Sequence, residues 1–335
     1  MSKFDFICVS GYGRSGSSAC VDILKEFEFI DGLDREFRIV KDPNGILDLE
    51  LSIVDNWEFV RHNTAINDFL EYCLILGRKD GLFKRVGKNF SELLFIDFMK
   101  ESVDYISRLN DFKYSGNTLL HRYHLNALQS FKQRLKTKFG FINTSTMYFS
   151  RPSEEEFLDE TRKYLRNIYN NFAVKKNLSK IVLDQAVPPT NIYKTLKFFD
   201  NAKMIIVDRD PRDIYATMLN ERKFLGVTKN SIDRYIHWHH SVRKQTTHDL
   251  KNIPFMNKHV FRLNFEDLFL NYEKTIKDIK DFLDIDFNHK DKGIRFQNES
   301  IDQHVGIWKK SSNQDDMMQI ENELSEYCFF DHNSK

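Results

Sequence analysis

The sequence contains few cysteines, and they are not arranged for cross-linking. Its four thiols lie far apart and form no C-x-x-C pair: Cys8, Cys20, Cys73 and Cys328. A disulfide framework is therefore not indicated. We interpret the cysteines as small hydrophobic residues in a reducing compartment.

The sequence also lacks an excess of charge of either sign. Fifty lysines and arginines against 49 aspartates and glutamates leave a net charge of +1. A general nucleic-acid binder is therefore not indicated, and any anion site must be local.

No apolar run reaches the roughly 18 residues that a spanning helix needs. Because the first motif already begins at Gly11, we expect no signal peptide, no membrane insertion and a cytoplasmic location. The oligomeric state has no signature in the sequence.

Apolar runs of strand length alternate with helical patterns along most of the chain. Four strands are predicted at Phe4–Val9, Lys180–Leu183, Lys203–Val207 and Val260–Leu263. Helices are predicted at Ser17–Phe29, Asn191–Phe199, from Pro211 onward, Ile232–Leu250, Tyr272–Leu283 and near Met317–Tyr327. This alternation predicts an α/β fold with a P-loop-like, doubly wound parallel sheet flanked by helices.

The middle of the chain follows a different pattern. Residues 55–175 are mostly helical and polar, without a repeat or a low-complexity linker. We interpret residues 1–335 as a single domain in which residues 55–175 form a helical insertion that shapes an acceptor site. A turn is predicted just before it, at Asp42–Gly45.

The first predicted strand runs into a loop made of glycine, serine and one arginine, Gly11-Tyr-Gly-Arg-Ser-Gly-Ser-Ser18. Glycines allow a tight turn, and successive N–H groups at a helix N-terminus favour an anion. Arg14 adds a bidentate cation, and the serines add hydroxyl donors. The loop therefore predicts a site for a phosphate-like group rather than a plain turn.

The loop by itself leaves the ligand open. Gly11-x-Gly13-x-x-Gly16 also matches the dinucleotide fingerprint, and Asp31 or Asp34 lies about 20 residues on. The same glycines match the start of a Walker loop, but Ser17 stands where nucleotide triphosphatases have lysine. The missing lysine argues against a kinase or ATPase, whereas the NAD interpretation stays open at this point.

A second motif follows the strand Lys203–Val207, where the sequence reads D-R-D-P-R-D. Arg209 falls at the carboxyl end of that strand, where open α/β sheets bind ligands. Thr217 lies eight residues later in the following predicted helix, and one arginine and one hydroxyl converging from a strand end would suit a second phosphate. The alternative is that Arg209 and Arg212 only pair with the neighbouring aspartates.

Together, these two motifs resemble the PAPS-dependent sulfotransferase family, PAPS being 3′-phosphoadenosine-5′-phosphosulfate. The resemblance implies that the loop holds the 5′-phosphosulfate and that Arg209 with Thr217 holds the 3′-phosphate. Arginine at position 14 resembles the carbohydrate branch. The implied cofactor-binding residues are Gly13, Arg14, Ser15, Gly16, Ser17, Ser18, Arg209, Thr217 and Lys309.

Three weaker matches extend the resemblance. Asp184–Pro188 is similar to the family's D-K-T-P segment, with Gln185 in place of lysine, and it implies acceptor contacts for Asp184 and Gln185. Leu263–Leu268 is similar to Y-E-D-L, with Phe265 at the tyrosine position. Val305–Lys310 is similar to the C-terminal G-R-W-K segment and brings in Lys309.

The resemblance implies catalysis by positioning and electrostatics without a required metal. Arg14 would neutralise charge on the oxygen that leaves with the nucleotide. Glu36 is predicted to be the general base and to face the acceptor hydroxyl, with Asp42, Asp184 and the His237–His240 segment in reserve. His237 and His240 share a helical face, but no further ligand is evident, so no metal site is predicted.

The function predicted from the sequence is transfer of a sulfuryl group from PAPS to a hydroxyl of a small molecule or glycan, with a carbohydrate favoured. Two alternatives remain. An NAD-dependent oxidoreductase would follow from the dinucleotide fingerprint, and a non-catalytic nucleotide-binding protein would keep the anion loop without transferring anything.

Overall fold

The computed structural model describes residues 4–79, 81, 86–117, 125–140, 144–221, 231–252 and 256–330. The chain forms two compact units, one of Met1–Lys41 with Phe172–Lys335 and one of Asp42–Asn171. The predicted turn at Asp42–Gly45 is present at the start of the second unit, where the Gly45 N–H donates to the Asp42 carbonyl at 2.9 Å.

The strands form two separate sheets. They are β1 (Asp5–Gly11), β2 (Ile30–Gly32), β3 (Phe112–Gly116), β4 (Ser145–Phe149), β5 (Lys180–Asp184), β6 (Lys203–Asp208) and β7 (Val260–Asn264). The first unit contains a five-stranded sheet in the order β2-β5-β1-β6-β7, in which every pairing is parallel. The second unit contains the antiparallel pair β3-β4.

Helices make up much of the rest of both units. They are α1 (Ser17–Leu24), α2 (Ile46–Glu50), α3 (Arg61–Gly77), α4 (Phe90–Leu93), α5 (Phe98–Leu109), α6 (Ala127–Lys138), α7 (Glu154–Lys176), α8 (Ile192–Leu196), α9 (Pro211–Glu221), α10 (Ile232–Asn252), α11 (Met256–His259), α12 (Asp267–Leu270), α13 (Tyr272–Leu283) and α14 (Gln314–Glu323). Short 3₁₀ turns lie at Asn298–Gln303, Ile307–Lys310 and Ser325–Tyr327, and a π-helical turn lies at Leu51–Asp55. Among the described helices, none is both long and apolar enough to cross a membrane.

The parallel sheet is covered on both faces, as its continuous apolar strands require. Ile7, Val9 and Ile205 pack in one cluster with α1, α12 and α13. Cys8 and Met204, which alternate with them along the strands and so point to the opposite face, are also fully buried. The predicted doubly wound α/β class is therefore confirmed.

The second unit packs around stacked tyrosines. The Tyr105 and Tyr164 rings lie 4.5 Å apart, centroid to centroid, at an interplanar angle of 9°. Both hydroxyls are buried and paired, Tyr105 with Thr161 at 2.7 Å and Tyr164 with Ser102 at 2.8 Å. These bonds satisfy polar groups that would otherwise be costly to bury.

The four predicted strands are confirmed, and α13 spans the predicted residues. The prediction for the first helix is too long. Helix α1 ends at Leu24, because Phe29 adopts a left-handed backbone with φ of 59° and Ile30 already pairs with Lys180. The short strand β2 and the β3-β4 pair were missed. Their alternation is too brief, and β3 too exposed, to produce a buried-strand pattern.

Candidate functional site

The site lies where the connections between successive strands change direction across the sheet. From β1 the chain passes through α1 to β2 on one side of β1, whereas β6 leads to β7 on the other side. The adjacent carboxyl ends of β1 and β6 therefore mark the topological switch point, where open α/β sheets form their ligand crevice. The glycine loop leaves β1 there, and Arg209 leaves β6 there.

The glycine loop has the backbone of an anion-binding nest. Gly13, Arg14 and Gly16 all have positive φ, at 80°, 57° and 86°, which turns successive N–H groups toward one concavity. The Ser15 hydroxyl is buried and accepts the Tyr12 N–H at 3.2 Å. Ser15 thus contributes its hydroxyl to the shape of the loop. Ser18, in contrast, is exposed and lines the cavity described below.

Gly16 is required by its neighbour as well as by its backbone. A Cβ at this position would overlap the Phe265 ring, which follows β7. The guanidinium of Arg209 lies over the same ring, 4.6 Å from its centroid. Phe265 therefore forms a floor that the loop and the arginine share.

Arg209 connects the loop to the C-terminal segment. Its Nη1 donates to the Arg14 carbonyl at 2.9 Å, and its Nη2 donates to the His304 carbonyl at 2.6 Å. Its Nε is buried without a hydrogen-bond partner among the described residues. Burial lowers the pKa of Arg209, while Asp213, Glu266 and Asp210 act in the opposite direction. One N–H of a buried cation is thus left to donate to an anion.

Asp213 holds the C-terminal segment from the side of α9. Its carboxylate accepts the Gly306 N–H at 2.7 Å and the Trp308 N–H at 3.0 Å. One turn later, the Thr217 hydroxyl donates to the Asp213 carbonyl at 2.8 Å, which leaves its oxygen lone pairs free to accept. Both residues therefore order the same corner of the site.

These elements enclose a cavity of about 690 Å³ within the first unit, a typical size for a small-molecule site. Three arginines and an aromatic wall contribute to its lining, which comprises Arg14, Gly16, Ser18, Ala19, Asp22, Arg209, Thr217, Asn220, Phe265, Phe269, Arg295, Phe296, Gln297, Ser300, Gln303, His304 and Ile307.

A buried carboxylate just after α1 positions the part of the wall that contains Arg295 and Phe296. Glu26 is fully buried and accepts the N–H groups of Arg295 and Phe296 at 2.8 and 2.9 Å. Phe296 then packs against Phe269 at 5.1 Å, and Phe269 stacks on His304 at 5.6 Å, measured between ring centroids. Burial and the Arg209 charge lower the pKa of His304, so this ring is neutral at neutral pH.

A second group of side chains adjoins the loop at the end of β5. Gln185 donates from Nε2 to the Ser17 hydroxyl at 3.0 Å and accepts from the Lys41 ammonium at 3.2 Å. Its backbone is left-handed, with φ of 59°. Lys41, Gln185 and Ser17 therefore form a continuous hydrogen-bonded chain from a cation to the glycine loop.

Two carboxylates lie near that chain. Asp184 is half-buried, and its Oδ1 has no hydrogen-bond partner among the described residues. Burial, with a further contribution from the Glu36 charge, raises the pKa of Asp184 to about 6, against an opposing effect of Lys41. Glu36 is exposed and accepts from Arg38 Nη1 at 3.1 Å. The pair supplies one accessible carboxylate and one that titrates near neutrality.

The structure brings together most of the residues singled out in the sequence, but not all of them. Lys309 is exposed, its ammonium lies 5.8 Å from the Trp308 ring centroid, and it does not line the cavity. Asp42 belongs to the second unit, where it accepts the Tyr72 hydroxyl.

The aspartates that would support a dinucleotide site are engaged elsewhere. Lys25 pairs with both Asp31 and Asp34, and Lys176 also reaches Asp31. Neither aspartate lines the cavity. The two aspartates at the spacing of the fingerprint are therefore not placed at this cavity.

The histidine segment serves a structural purpose at its centre. His239 is fully buried and accepts from Arg243 Nε at 3.2 Å. Burial lowers its pKa to about 3, so it is neutral. No group of three or more metal-ligating side chains occurs in the part of the chain that the structure describes.

The sequence interpretation missed several lining residues, among them Asp22, Phe269, Arg295 and His304, and it also missed Lys41. No motif surrounds Arg295, and His304 lies just before the Val305–Lys310 segment. Glu26 binds the backbone N–H of Arg295, and Arg209 binds the carbonyl of His304. The one available signal was for Lys41. Gln185 stands where the D-K-T-P segment has lysine, and the loss of that positive charge could have suggested that another lysine nearby replaces it.

The sequence profile described as the sulfotransferase family matches residues 95–289. This range is more than half of the chain; it includes Arg209, Thr217 and Phe265 and begins after the glycine loop. No curated protein gives a match.

Similar solved structures are distant. The sulfotransferase domain of the Synechococcus PCC 7002 olefin synthase is 14% identical with a TM-score of 0.41, covering 97% of this chain and 94% of that one. The sulfotransferase domain from the curacin biosynthetic pathway is 13% identical with a TM-score of 0.46, covering 97% and 98%. Sulfotransferase STF9 from Mycobacterium avium is 12% identical with a TM-score of 0.40, covering 97% and 76%.

Substituting Gly16 tests the contact between the loop and its floor. Gly16→Ala should destabilise the protein more than Gly293→Ala. Both glycines have positive φ, at 86° and 81°, but a Cβ at Gly293 meets nothing within 4 Å. The shared backbone strain costs about 1–2 kcal/mol, and the overlap with Phe265 adds to it at Gly16 alone. Urea unfolding measures both, and equal losses would contradict the contact.

Proposed function

Because the chain belongs to the sulfotransferase family, we propose that it transfers a sulfuryl group from PAPS to a hydroxyl group of a carbohydrate. The observation that carries the proposal is the cavity at the switch point. It is lined by the nest, by Arg14, Arg209 and Arg295, and by an aromatic wall. This lining suits a ligand with two separate anionic ends and one flat ring.

The anionic ends match two subsites. The N–H groups of the nest and the N-terminus of α1 suit the 5′-phosphosulfate. The unpartnered Nε of Arg209 and the Thr217 hydroxyl suit the 3′-phosphate. An anion at Arg209 would also offset the desolvation that lowers the pKa of this buried guanidinium.

The flat ring matches the aromatic wall. Phe269 contacts Phe265 edge to face and Phe296 in a tilted arrangement, and all three rings line the cavity. Adenine stacks on such surfaces without needing a particular hydrogen-bonding edge. Phenylalanine at position 265 retains this surface and lacks the hydroxyl that tyrosine would have.

The transfer step needs charge stabilisation at the loop. The acceptor oxygen forms a bond to sulfur, the bond from sulfur to the bridging oxygen breaks, and its electron pair leaves with the nucleotide phosphate. Arg14 is proposed to neutralise that growing charge. Lys41 is proposed to act beside it, held by Gln185, and thus to replace the charge of the missing family lysine.

The acceptor proton is proposed to pass to Glu36. Its carboxylate is exposed, so an acceptor hydroxyl can reach it. Asp184 is the rival, because its pKa of about 6 suits a general base near neutral pH, but one of its oxygens is buried. The carbohydrate acceptor rests on the arginine at position 14, and the second unit, Asp42–Asn171, is proposed to shape the acceptor site.

A transfer assay tests the function as a whole. The purified chain, incubated with PAPS and a panel of sugars, phenols and steroids, should add the mass of one sulfuryl group to a sugar. Omitting PAPS or supplying NAD should leave every acceptor unchanged. Transfer to phenols alone would contradict the carbohydrate acceptor, and binding without transfer to any acceptor would favour the non-catalytic alternative.

Nucleotide affinity tests the two-subsite assignment. Adenosine 3′,5′-bisphosphate should bind more tightly than AMP or NAD, by roughly ten- to over a hundredfold, because it adds a charge-assisted contact at Arg209. Arg209→Met should abolish the difference. Arg262→Met is the matched control, since Arg262 pairs with Asp208 and does not line this cavity. Calorimetry giving equal affinities for AMP and the bisphosphate would refute the second subsite.

Paired carboxylate variants identify the base. Glu36→Gln should keep nucleotide affinity and lose about 10²–10⁴-fold in single-turnover transfer, while Asp184→Asn should keep most of the rate. The opposite pattern would assign the base to Asp184. In that case, the wild-type rate would fall as pH drops through about 6, because the base must be ionised.

Lys41→Met sharpens the same test. Lys41 lowers the pKa of Asp184, so removing the cation raises that pKa. If Asp184 is the base, the pH profile of Lys41→Met moves to higher pH. If Glu36 is the base and Lys41 acts on the transferring group, the rate falls without that shift, and Lys41→Arg restores part of it.

A further inference from the structure

Helix α6 carries an apolar stripe that faces away from the chain. Leu128, Phe131, Leu135 and Phe139, just beyond its C-terminus, recur at spacings of three and four residues, which places them on one helical face. All four are exposed, Phe131 at 59% and Phe139 at 73%. A contiguous exposed apolar stripe of this kind marks an interaction surface.

A helix packed on its own protein normally buries its apolar face and exposes its polar face, and α6 shows the opposite arrangement. No residue of α6 is buried. The half-buried residues are the polar Ser130 and Gln133, on the face opposite the stripe. This polar face lines a cavity of about 410 Å³ together with Leu125, Arg134, Thr137 and Lys138. The apolar stripe is therefore turned outward.

The charges of α6 border the stripe on both sides. At 3.6 residues per turn, Lys132 and Lys136 lie along one side of it, and Arg134 and Lys138 lie along the other. The helix contains no acidic residue. Cations flanking an apolar face match a surface that is apolar inside and negative at its rim.

We propose that α6 binds the surface of a bilayer that contains anionic lipids. The stripe enters the boundary between headgroups and acyl chains, and the four cations contact lipid phosphates and carboxylates. A helix of 12 residues is about 18 Å long, shorter than the roughly 30 Å of a hydrocarbon core. The helix therefore lies in the interface and does not span it.

Charge disfavours a second copy of the chain as the partner. Two α6 helices packed stripe to stripe would bring eight cations together with no acidic residue on either helix, and like charges at such close spacing are destabilising. An anionic bilayer supplies the missing opposite charge.

Local structure prepares the helix for this role. Asn126 and Gln129 form a reciprocal capping box, in which each side chain accepts the backbone N–H of the other residue. A helix of this length is marginal in water without tertiary packing, so burial of its stripe in the interface would stabilise it. The inference concerns the second unit and does not depend on the proposed function.

Vesicle flotation tests the apolar part of the proposal. Wild-type protein should float with vesicles of phosphatidylcholine and phosphatidylserine, and much less with phosphatidylcholine alone. Phe131→Gln with Leu135→Gln should weaken binding by about tenfold or more per residue. Val174→Gln is the matched control, because Val174 is equally exposed, at 60%, on another helix.

The charged part is tested separately. Lys132→Gln with Lys136→Gln should weaken binding by about fivefold per charge, and added salt should have a similar effect. Lys244→Gln with Lys251→Gln removes two exposed charges from α10 and should leave binding unchanged. All variants should keep the wild-type unfolding midpoint, which shows that the substitutions act on binding and not on folding.

Three outcomes would overturn the proposal. The first is a wild-type protein that floats with neither vesicle, and the second is flotation that the stripe and charge variants leave unchanged. The third is self-association in sedimentation velocity that Phe131→Gln with Leu135→Gln abolishes, because a second copy would then cover the stripe.

Discussion

The hydrogen bonds of Arg209 connect the parts of the site that lie far apart in the sequence. One guanidinium reaches the Arg14 carbonyl in the glycine loop and the His304 carbonyl in the C-terminal segment, while its face rests on Phe265 after β7. Three chain segments are thereby positioned by a single side chain. Because both carbonyls are backbone groups, the arrangement does not depend on the side chains of residues 14 and 304, and the Nε of Arg209 is buried without a hydrogen-bond partner among the described residues.

A buried network of charges keeps this arginine in place. Arg212 binds Asp210 in a bidentate manner and also pairs with Glu321 of α14, while its guanidinium covers the Trp308 ring. Glu266 accepts the Asp210 N–H at 2.8 Å, and burial raises the pKa of Glu266 to about 7. Each charge near Arg209 therefore has a bonded partner, as burial in a low-dielectric interior requires. The same network anchors the C-terminal residues, since the Phe329 N–H also donates to Asp210.

The two interpretations of D-R-D-P-R-D turn out to apply to different residues. Arg212 pairs with a neighbouring aspartate, as the alternative interpretation of the motif proposed, whereas Arg209 lines the cavity. In the same way, Glu36 does pair with Arg38, which does not bar it from a role in proton transfer, because the pair is exposed. Spacing within the motif could not separate these cases, since both arginines follow β6 and differ only in the tertiary contacts that they make.

The sequence by itself determined the elements whose signals are local. Continuous apolar runs predicted the central strands, because strands buried on both faces need them. The glycines predicted a tight loop after β1, and Gly13 and Gly16 do adopt the positive φ values that glycine permits. Tertiary structure decided three other features. These are the cavity lining from Arg295 to His304, the hydrogen-bonded chain Lys41–Gln185–Ser17, and the ion pairs of Lys25 with Asp31 and Asp34. These contacts join residues separated by many positions, and their formation depends on packing geometry, which no local pattern of residues encodes.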